Sequence, residues 1–144
     1  MIGVSDSTAR AGPTPGFAEW VFPAEPGSVR AARCRVQAVL EEWGLSVMTD
    51  VTVLLVSELV TNSLRYARGP IGLRMYARRE NSPSESVLMV EVSDPLADPP
   101  HARTASAEDE GGRGLELIGR TALRWGTRRR HAGKTVWFEL ALPG

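Results

Sequence analysis

The chain has little cysteine, little histidine and no excess of charge, and each shortage excludes a class of protein. Cys34, the one cysteine in 144 residues, rules out an internal disulfide and a cysteine-ligated zinc cluster. The two histidines, His101 and His131, are far apart in the chain, so a histidine-based metal site is not expected. Seventeen basic residues balance seventeen acidic ones, which argues against direct contact with nucleic acid.

Membrane and export signals are also missing from the sequence. No uninterrupted apolar run reaches the roughly 20 residues that span a bilayer. Residues 1–16 lack the cationic start and apolar block of a signal peptide, so we expect a cytoplasmic protein without a membrane partner. The same residues are rich in Gly, Pro, Ser and Thr, which predicts a disordered leader at 1–16 followed by a single domain over 17–144.

Hydrophobic periodicity predicts strands and helices in a fixed order. That order is strand 17–22, helix 29–43 with Ser28 as N-cap, a helix from Ser46 or Thr49 to Ala67, strands 71–78 and 87–92, helix 115–123, and a hairpin of strands 123–130 and 135–142. A proline-containing segment over 95–113, with a glycine pair near its end, is predicted to be a functional lid. Short turns between neighbouring strands favour an α/β (α+β) two-layer sandwich, with a mixed, mostly antiparallel sheet and about three helices on one face.

The helix over 46–67 carries the first candidate site. Glu58 and Asn62 are four residues apart, so both project from one helix face. Taken alone, they could be an exposed polar pair. The helix is apolar on nearly all sides, however, and polar groups leaving a mostly buried helix need partners. A cleft with a metal ion and a nucleotide would supply them, since an amide oxygen suits Mg²⁺ and a carboxylate can deprotonate a hydroxyl.

Asp94 and a glycine-rich loop are the next candidates. Asp94 follows VLMVEV, a predicted central strand, and could accept a hydrogen bond from an exocyclic amine such as that of adenine. It could equally be a turn residue before Pro95. Residues 111–115 (GGRGL) lead into a helix, whose N-terminus offers N–H donors for phosphate. A flexible hinge would have the same sequence.

Two other phosphate-binding patterns are excluded. A dinucleotide fingerprint would need glycine at Leu117, and a Walker A loop ending at 133–135 would need glycine at Arg128. The three arginines at 128–130 are predicted to lie at a hairpin turn. In a neutral chain they indicate a solvated turn, or a patch for an acidic partner protein, rather than a nucleic-acid site.

Taken in order, these segments resemble the GHKL ATPase superfamily, which includes DNA gyrase, MutL-type repair proteins and sensor histidine kinases. SELVTNSLRYA resembles its N-box, VSDPLADPP its G1 box, GGRGLELIGR its G2 box and GKTVWFELALP its closing strand. FPAEPGSVRAAR resembles the start of the first helix. The likeness covers residues 17–143. The small single-domain branch is the most similar: the anti-sigma-factor serine/threonine kinases and the stand-alone ATP-binding regulators of actinobacteria.

The resemblance implies ATP and Mg²⁺ as ligands and gives the motif residues their roles. Asn62 would bind the Mg²⁺ that bridges the phosphates, and Glu58 would be the general base for phosphotransfer. Asp94 would receive the adenine amino group, and Thr135 would help to fix adenine. The residues that would cradle the phosphates are Gly112, Arg113, Gly114 and Leu115.

The resemblance also implies the protein's partners. One is a small antagonist protein that is phosphorylated on serine or threonine. The other is a sigma factor, held inactive until the antagonist displaces it. Such relatives often dimerise, which makes a homodimer a further expectation.

The G1 box departs from the pattern of the superfamily. That pattern is Asp-x-Gly-x-Gly, whereas Asp94 is followed by Pro95 and neither glycine is present. Tyr66 also stands where many relatives have histidine. Three interpretations therefore stay open: a kinase that also sequesters a sigma factor, an ATP- or ADP-dependent protein-binding switch without kinase activity, and a scaffold that binds no nucleotide.

Overall fold

The computed structural model describes residues 16–66, 69–80, 86–95, 115–130 and 133–143. The elements in chain order are strand β1 (Phe17–Phe22), helix α1 (Gly27–Glu42), a 3-10 turn (Ser46–Met48), helix α2 (Thr49–Tyr66), strands β2 (Ile71–Arg78) and β3 (Val87–Pro95), helix α3 (115–121), and strands β4 (Arg124–Arg130) and β5 (Gly133–Ala141). Every predicted element is present. The predicted leader, apart from Gly16, and the predicted lid beyond Pro95 lie outside the described residues.

The five strands form one sheet in the order β1-β2-β3-β5-β4. Every described strand pair is antiparallel, so the predicted mostly antiparallel sheet is confirmed. β3 is the middle strand, as its apolar sequence predicts. β5 lies between β3 and β4, with Val90 of β3 opposite Phe138 of β5 and Phe138 opposite Trp125 of β4.

The core lies between one face of this sheet and the helices. Successive strand residues point to opposite faces, and on β3 the residues Leu88, Val90 and Val92 face the helical layer and are buried. The side chains of the core that are inaccessible to solvent include Val36, Leu40, Leu55, Val56, Val60, Ile71, Leu73, Met75, Ile118 and Phe138. All three helices contribute to this cluster, so the predicted two-layer α+β architecture is confirmed.

The structure corrects the start of α1 and confirms its end. Pro26 occupies the cap position, and no side chain caps the helix. Ser28 is already in the first turn, where its hydroxyl donates a hydrogen bond to the Pro23 carbonyl over 2.5 Å. Gly44 has a φ of 73°, which is the left-handed conformation that glycine adopts readily, and it ends the helix as predicted.

Helix α2 packs against both α1 and β3, which is why its sequence is apolar on several sides. Leu54 is nevertheless 47% exposed, so the burial is incomplete. The segment Ser46–Arg65 is long and apolar enough to cross a membrane by length and composition, with a mean hydropathy of 1.3. This segment contains Asp50 and Glu58 and is therefore not an uninterrupted apolar run. The core helix of a soluble protein passes the same test, and α2 contributes Leu55, Val56, Leu59 and Val60 to the hydrophobic core.

Candidate functional site

The buried face of α2 determines where its polar residues lie. Thr52, Leu55, Val56, Leu59, Val60 and Ser63 are buried at helical spacing along one side. Glu58 and Asn62 lie next to this stripe and are half-buried. They occupy equivalent positions one turn apart, as their spacing predicts. The carboxylate and the amide are therefore at the rim of the helical layer, within reach of solvent and of a ligand.

Asp94 is near the end of the middle strand and on its helix-facing side. It continues the alternation of Val90 and Val92 along β3, and it is only 6% exposed. The predicted position of Asp94 at the end of a central strand is confirmed. It is part of the strand, however, since β3 continues through Pro95, so the alternative of a turn aspartate is not supported.

A buried hydrogen bond connects α2 to the end of β3. The Ser63 hydroxyl donates to Oδ2 of Asp94 over 3.0 Å, and Ser63 is itself 6% exposed. Ser63 is adjacent to Asn62 in the sequence, so this bond holds the last turns of the Glu58–Asn62 helix against the Asp94 strand end. Sequence reasoning missed Ser63. The available signal was its place one turn after Leu59 on the apolar stripe, because a polar group at a core position requires a partner.

The strand register places Asp94 and Thr135, the two residues predicted to bind adenine, on opposite faces of the sheet. Lys134 is directly opposite Asp94, whereas Thr135 is opposite Ser93. Neighbouring strand residues face opposite ways, so Thr135 points away from the helices. There it lies 2.7 Å from the Ser93 hydroxyl, oxygen to oxygen. The structure therefore does not bring Thr135 to the side of the sheet that carries Asp94, and its predicted role in fixing adenine stays a prediction.

The predicted phosphate cradle is only partly within the described residues. Gly112, Arg113 and Gly114 lie outside them, as does the side chain of Tyr66. Leu115 is the first residue of α3, where its half-buried side chain packs against the core. The helix that should follow the loop is thus present, and it is anchored by the buried Ile118.

The other face of the sheet carries a charged cluster around Glu91. This carboxylate lies 3.1 Å from Arg128 and 3.6 Å from Arg74, measured between oxygen and nitrogen. The Tyr76 hydroxyl donates to Glu91 over 3.5 Å. Burial raises the pKa of the Tyr76 phenol, and the nearby negative charge of Glu91 raises it further. Arg128, predicted to be a solvated turn residue or part of a protein-binding patch, therefore neutralises a buried carboxylate.

The donor set at Glu58 and Asn62 fits a magnesium ion that binds together with phosphates. Within the described ranges, no group of three or more His, Cys, Asp and Glu residues could hold a metal ion alone. Mg²⁺ usually takes one or two protein ligands and completes its shell with water and substrate phosphates. Asn62 would offer one amide oxygen to such an ion, and the Glu58 carboxylate lies one turn earlier on the same helix.

The chain belongs to the histidine kinase-like ATPase domain family, whose model matches residues 22–140. This confirms the resemblance at the level of the GHKL superfamily, a group of domains that bind ATP, usually with Mg²⁺. The match extends from the end of β1 into the last strand and includes Glu58, Asn62, Ser63 and Asp94. A comparison with curated proteins gives no match.

Proposed function

We propose that the protein is a cytoplasmic ATP-binding regulator that acts as an anti-sigma factor and as a serine/threonine kinase of a small antagonist protein. One observation carries the nucleotide site: the buried bond of 3.0 Å from Ser63 to Asp94, which joins the helix of Glu58 and Asn62 to the middle strand. The family match supports ATP as the ligand. The resemblance to the small anti-sigma-factor kinases supplies the protein partners, including a homodimer as the working assembly.

The proposed reaction transfers the γ-phosphoryl group of ATP to a serine or threonine hydroxyl. Glu58 takes the proton of the substrate hydroxyl while the oxygen of that hydroxyl attacks the γ-phosphorus. The bond between that phosphorus and the β–γ bridging oxygen breaks, and ADP leaves. Asn62 would hold the Mg²⁺ ion, which would supply charge neutralisation for the phosphates. Asp94 accepts a hydrogen bond from the adenine amine.

The exposure of the residues fits a macromolecular substrate. Glu58 and Asn62 are half-buried, whereas Asp94 is buried. A proton acceptor that must reach a side chain of another protein needs access from solvent. A hydrogen bond to the adenine ring, in contrast, is stronger where water is excluded. The two ends of the proposed site therefore have the burial that their roles require.

A second candidate function is a nucleotide-dependent binding switch without kinase activity. The observation that favours it is the geometry of the G1 segment. Asp94 and Pro95 are still paired with Lys134 and Gly133 as part of the sheet, directly before positions 96 and 98, where the superfamily pattern has glycines and this chain has leucine and aspartate. A protein of this kind would bind ATP and a protein partner but transfer no phosphate.

The first test is calorimetric titration of the full chain with ATP and Mg²⁺. Asn62→Ala should weaken binding about tenfold, the loss expected for one interaction with a charged group. Gln37→Ala, which removes an exposed amide from α1, is the matched control and should bind like the unmodified chain. No binding of ATP by the unmodified chain would contradict both functions.

The second test separates kinase from switch. The full chain is incubated with γ-labelled ATP and a recombinant antagonist protein of the type that the resemblance implies. Glu58→Gln should reduce labelling of the antagonist at least about a hundredfold while ATP affinity is retained, because the proton acceptor is lost. Glu41→Gln, on the exposed side of α1, should label normally. Equal labelling by Glu58→Gln would exclude Glu58 as the base, and binding without labelling would favour the switch.

A further inference from the structure

Ser63 is a polar residue at a position where the helix otherwise buries apolar side chains. Its neighbours on the stripe, Leu59 and Val60, are 2% and 0% exposed. A serine inside a helix commonly bonds to the carbonyl one turn earlier. Here the hydroxyl instead donates to Asp94, a residue 31 positions away in the sequence. A polar residue thus occupies a buried core position, where it contacts the carboxylate of the proposed nucleotide site.

We propose that Ser63 is a positioning residue that makes the site selective for a nucleotide base with an exocyclic amine. This inference rests on the proposed function, since it concerns how Asp94 reads the base. An ionised carboxylate accepts hydrogen bonds and donates none. A donor fixed on Oδ2 sets the rotation of the carboxylate and stabilises its ionised form. The other carboxylate oxygen, Oδ1, is also buried.

The protonation state of Asp94 links Ser63 to the choice of nucleotide base. A protonated carboxyl has an O–H that can donate to a keto oxygen, so it would accept inosine or guanine in place of adenine. An ionised carboxylate oxygen that faces a keto oxygen places two acceptors against each other, so neither receives a hydrogen bond from the other. The Ser63 hydroxyl favours the ionised form, as does the positive charge of Lys134 directly opposite on β5, and both therefore act against keto bases.

The test compares ATP with inosine triphosphate, which carries a keto oxygen in place of the amine. Both affinities are measured calorimetrically on the full chain with Mg²⁺. Ser63→Ala should lower the preference for ATP about tenfold, the loss expected for one hydrogen bond to a charged group. Alanine is the best helix former, so α2 should persist, and circular dichroism checks this. Ser57→Ala removes a half-buried hydroxyl of the same helix and should leave the preference unchanged.

A double-mutant cycle with Asp94→Ala assigns the effect to this pair. If Ser63 acts through Asp94, Ser63→Ala should not change the preference further once Asp94 is replaced. In a chain that retains Asp94, Ser63→Thr keeps the hydroxyl and should therefore keep the preference for ATP that Ser63→Ala loses. An unchanged ATP preference in a folded Ser63→Ala chain would overturn the role of Ser63 while the proposed function stands. If the unmodified chain binds neither nucleotide, the proposed function fails and this inference fails with it.

Discussion

The backbone of Gly133 is in close contact with the backbone of Asp94. A Cβ atom at residue 133 would lie 2.5 Å from the Asp94 carbonyl oxygen and 3.3 Å from its carbonyl carbon. Gly133 is the first residue of β5 and is opposite Pro95 in the sheet. Glycine at this position therefore allows two strands to approach each other, which explains a glycine before Lys134 and Thr135 without a phosphate-binding loop.

The first prediction follows from this contact. Gly133→Ala should lower the free energy of unfolding by about 1–3 kcal/mol, the usual cost of overpacking. It should also weaken ATP binding, because the backbone that must move carries Asp94. Urea unfolding gives the stability change and calorimetry the change in affinity.

Gly126→Ala is the matched control for this prediction. A Cβ at residue 126 would lie 2.9 Å from a ring carbon of Trp137, so an added methyl group also meets an obstacle there, but the obstacle is a side chain and lies on the β4 side of β5. This variant should lose stability and keep its ATP affinity. Equal loss of affinity in both variants would show a general effect of destabilisation and would exclude a specific role for the contact with Asp94.

The sequence was sufficient to predict the elements because each has a clear local pattern. The alternation in 17–22 and 71–78 predicted β1 and β2 to the residue. Three features depend on contacts between distant segments and could not be predicted: the insertion of β5 between β3 and β4, the partner of Ser63, and the face on which Thr135 lies. The last depends on strand register, and a shift of one residue reverses every side chain of a strand.

The second prediction concerns Thr135. Its hydroxyl lies 2.7 Å from that of Ser93 on the sheet face opposite the helices, and the residue is fully buried. Thr135→Val should lower the free energy of unfolding by about 1 kcal/mol, because the Ser93 hydroxyl loses its partner. ATP affinity should not change, since Asp94 is on the other face.

Ser93→Ala provides the comparison. Removing one hydroxyl leaves the other unsatisfied, whereas removing both should cost less than the sum of the two single changes. Urea unfolding of the two single variants and the double variant measures this difference. A marked loss of ATP affinity in Thr135→Val would instead support the role in adenine binding that the family resemblance implies.

The third prediction uses Tyr76 as a pH probe of the cluster around Glu91. The pKa of the Tyr76 phenol is raised above its ordinary value of 10.0, first by burial and then by the charge of Glu91, which Arg74 and Arg128 partly offset. Above pH 10.0 the unfolded chain releases this proton while the folded chain retains it. The folded state then binds more protons, so the free energy of unfolding should fall as pH rises from the unfolded pKa through the folded one.

Tyr76→Phe tests whether the Tyr76 phenol causes the loss of stability at alkaline pH. The chain has two tyrosines, so the absorbance of tyrosinate in the variant reports Tyr66 alone, and the difference from the unmodified chain reports Tyr76. We expect the Tyr76 titration above that of a free tyrosine, and a flatter decline of stability with alkaline pH in Tyr76→Phe. Glu91→Gln removes a negative charge that raises this pKa while burial stays, so the Tyr76 titration should move part of the way back. A Tyr76 titration at the ordinary value in the unmodified chain would contradict the prediction, because burial and Glu91 would then not outweigh the opposing charges of Arg74 and Arg128.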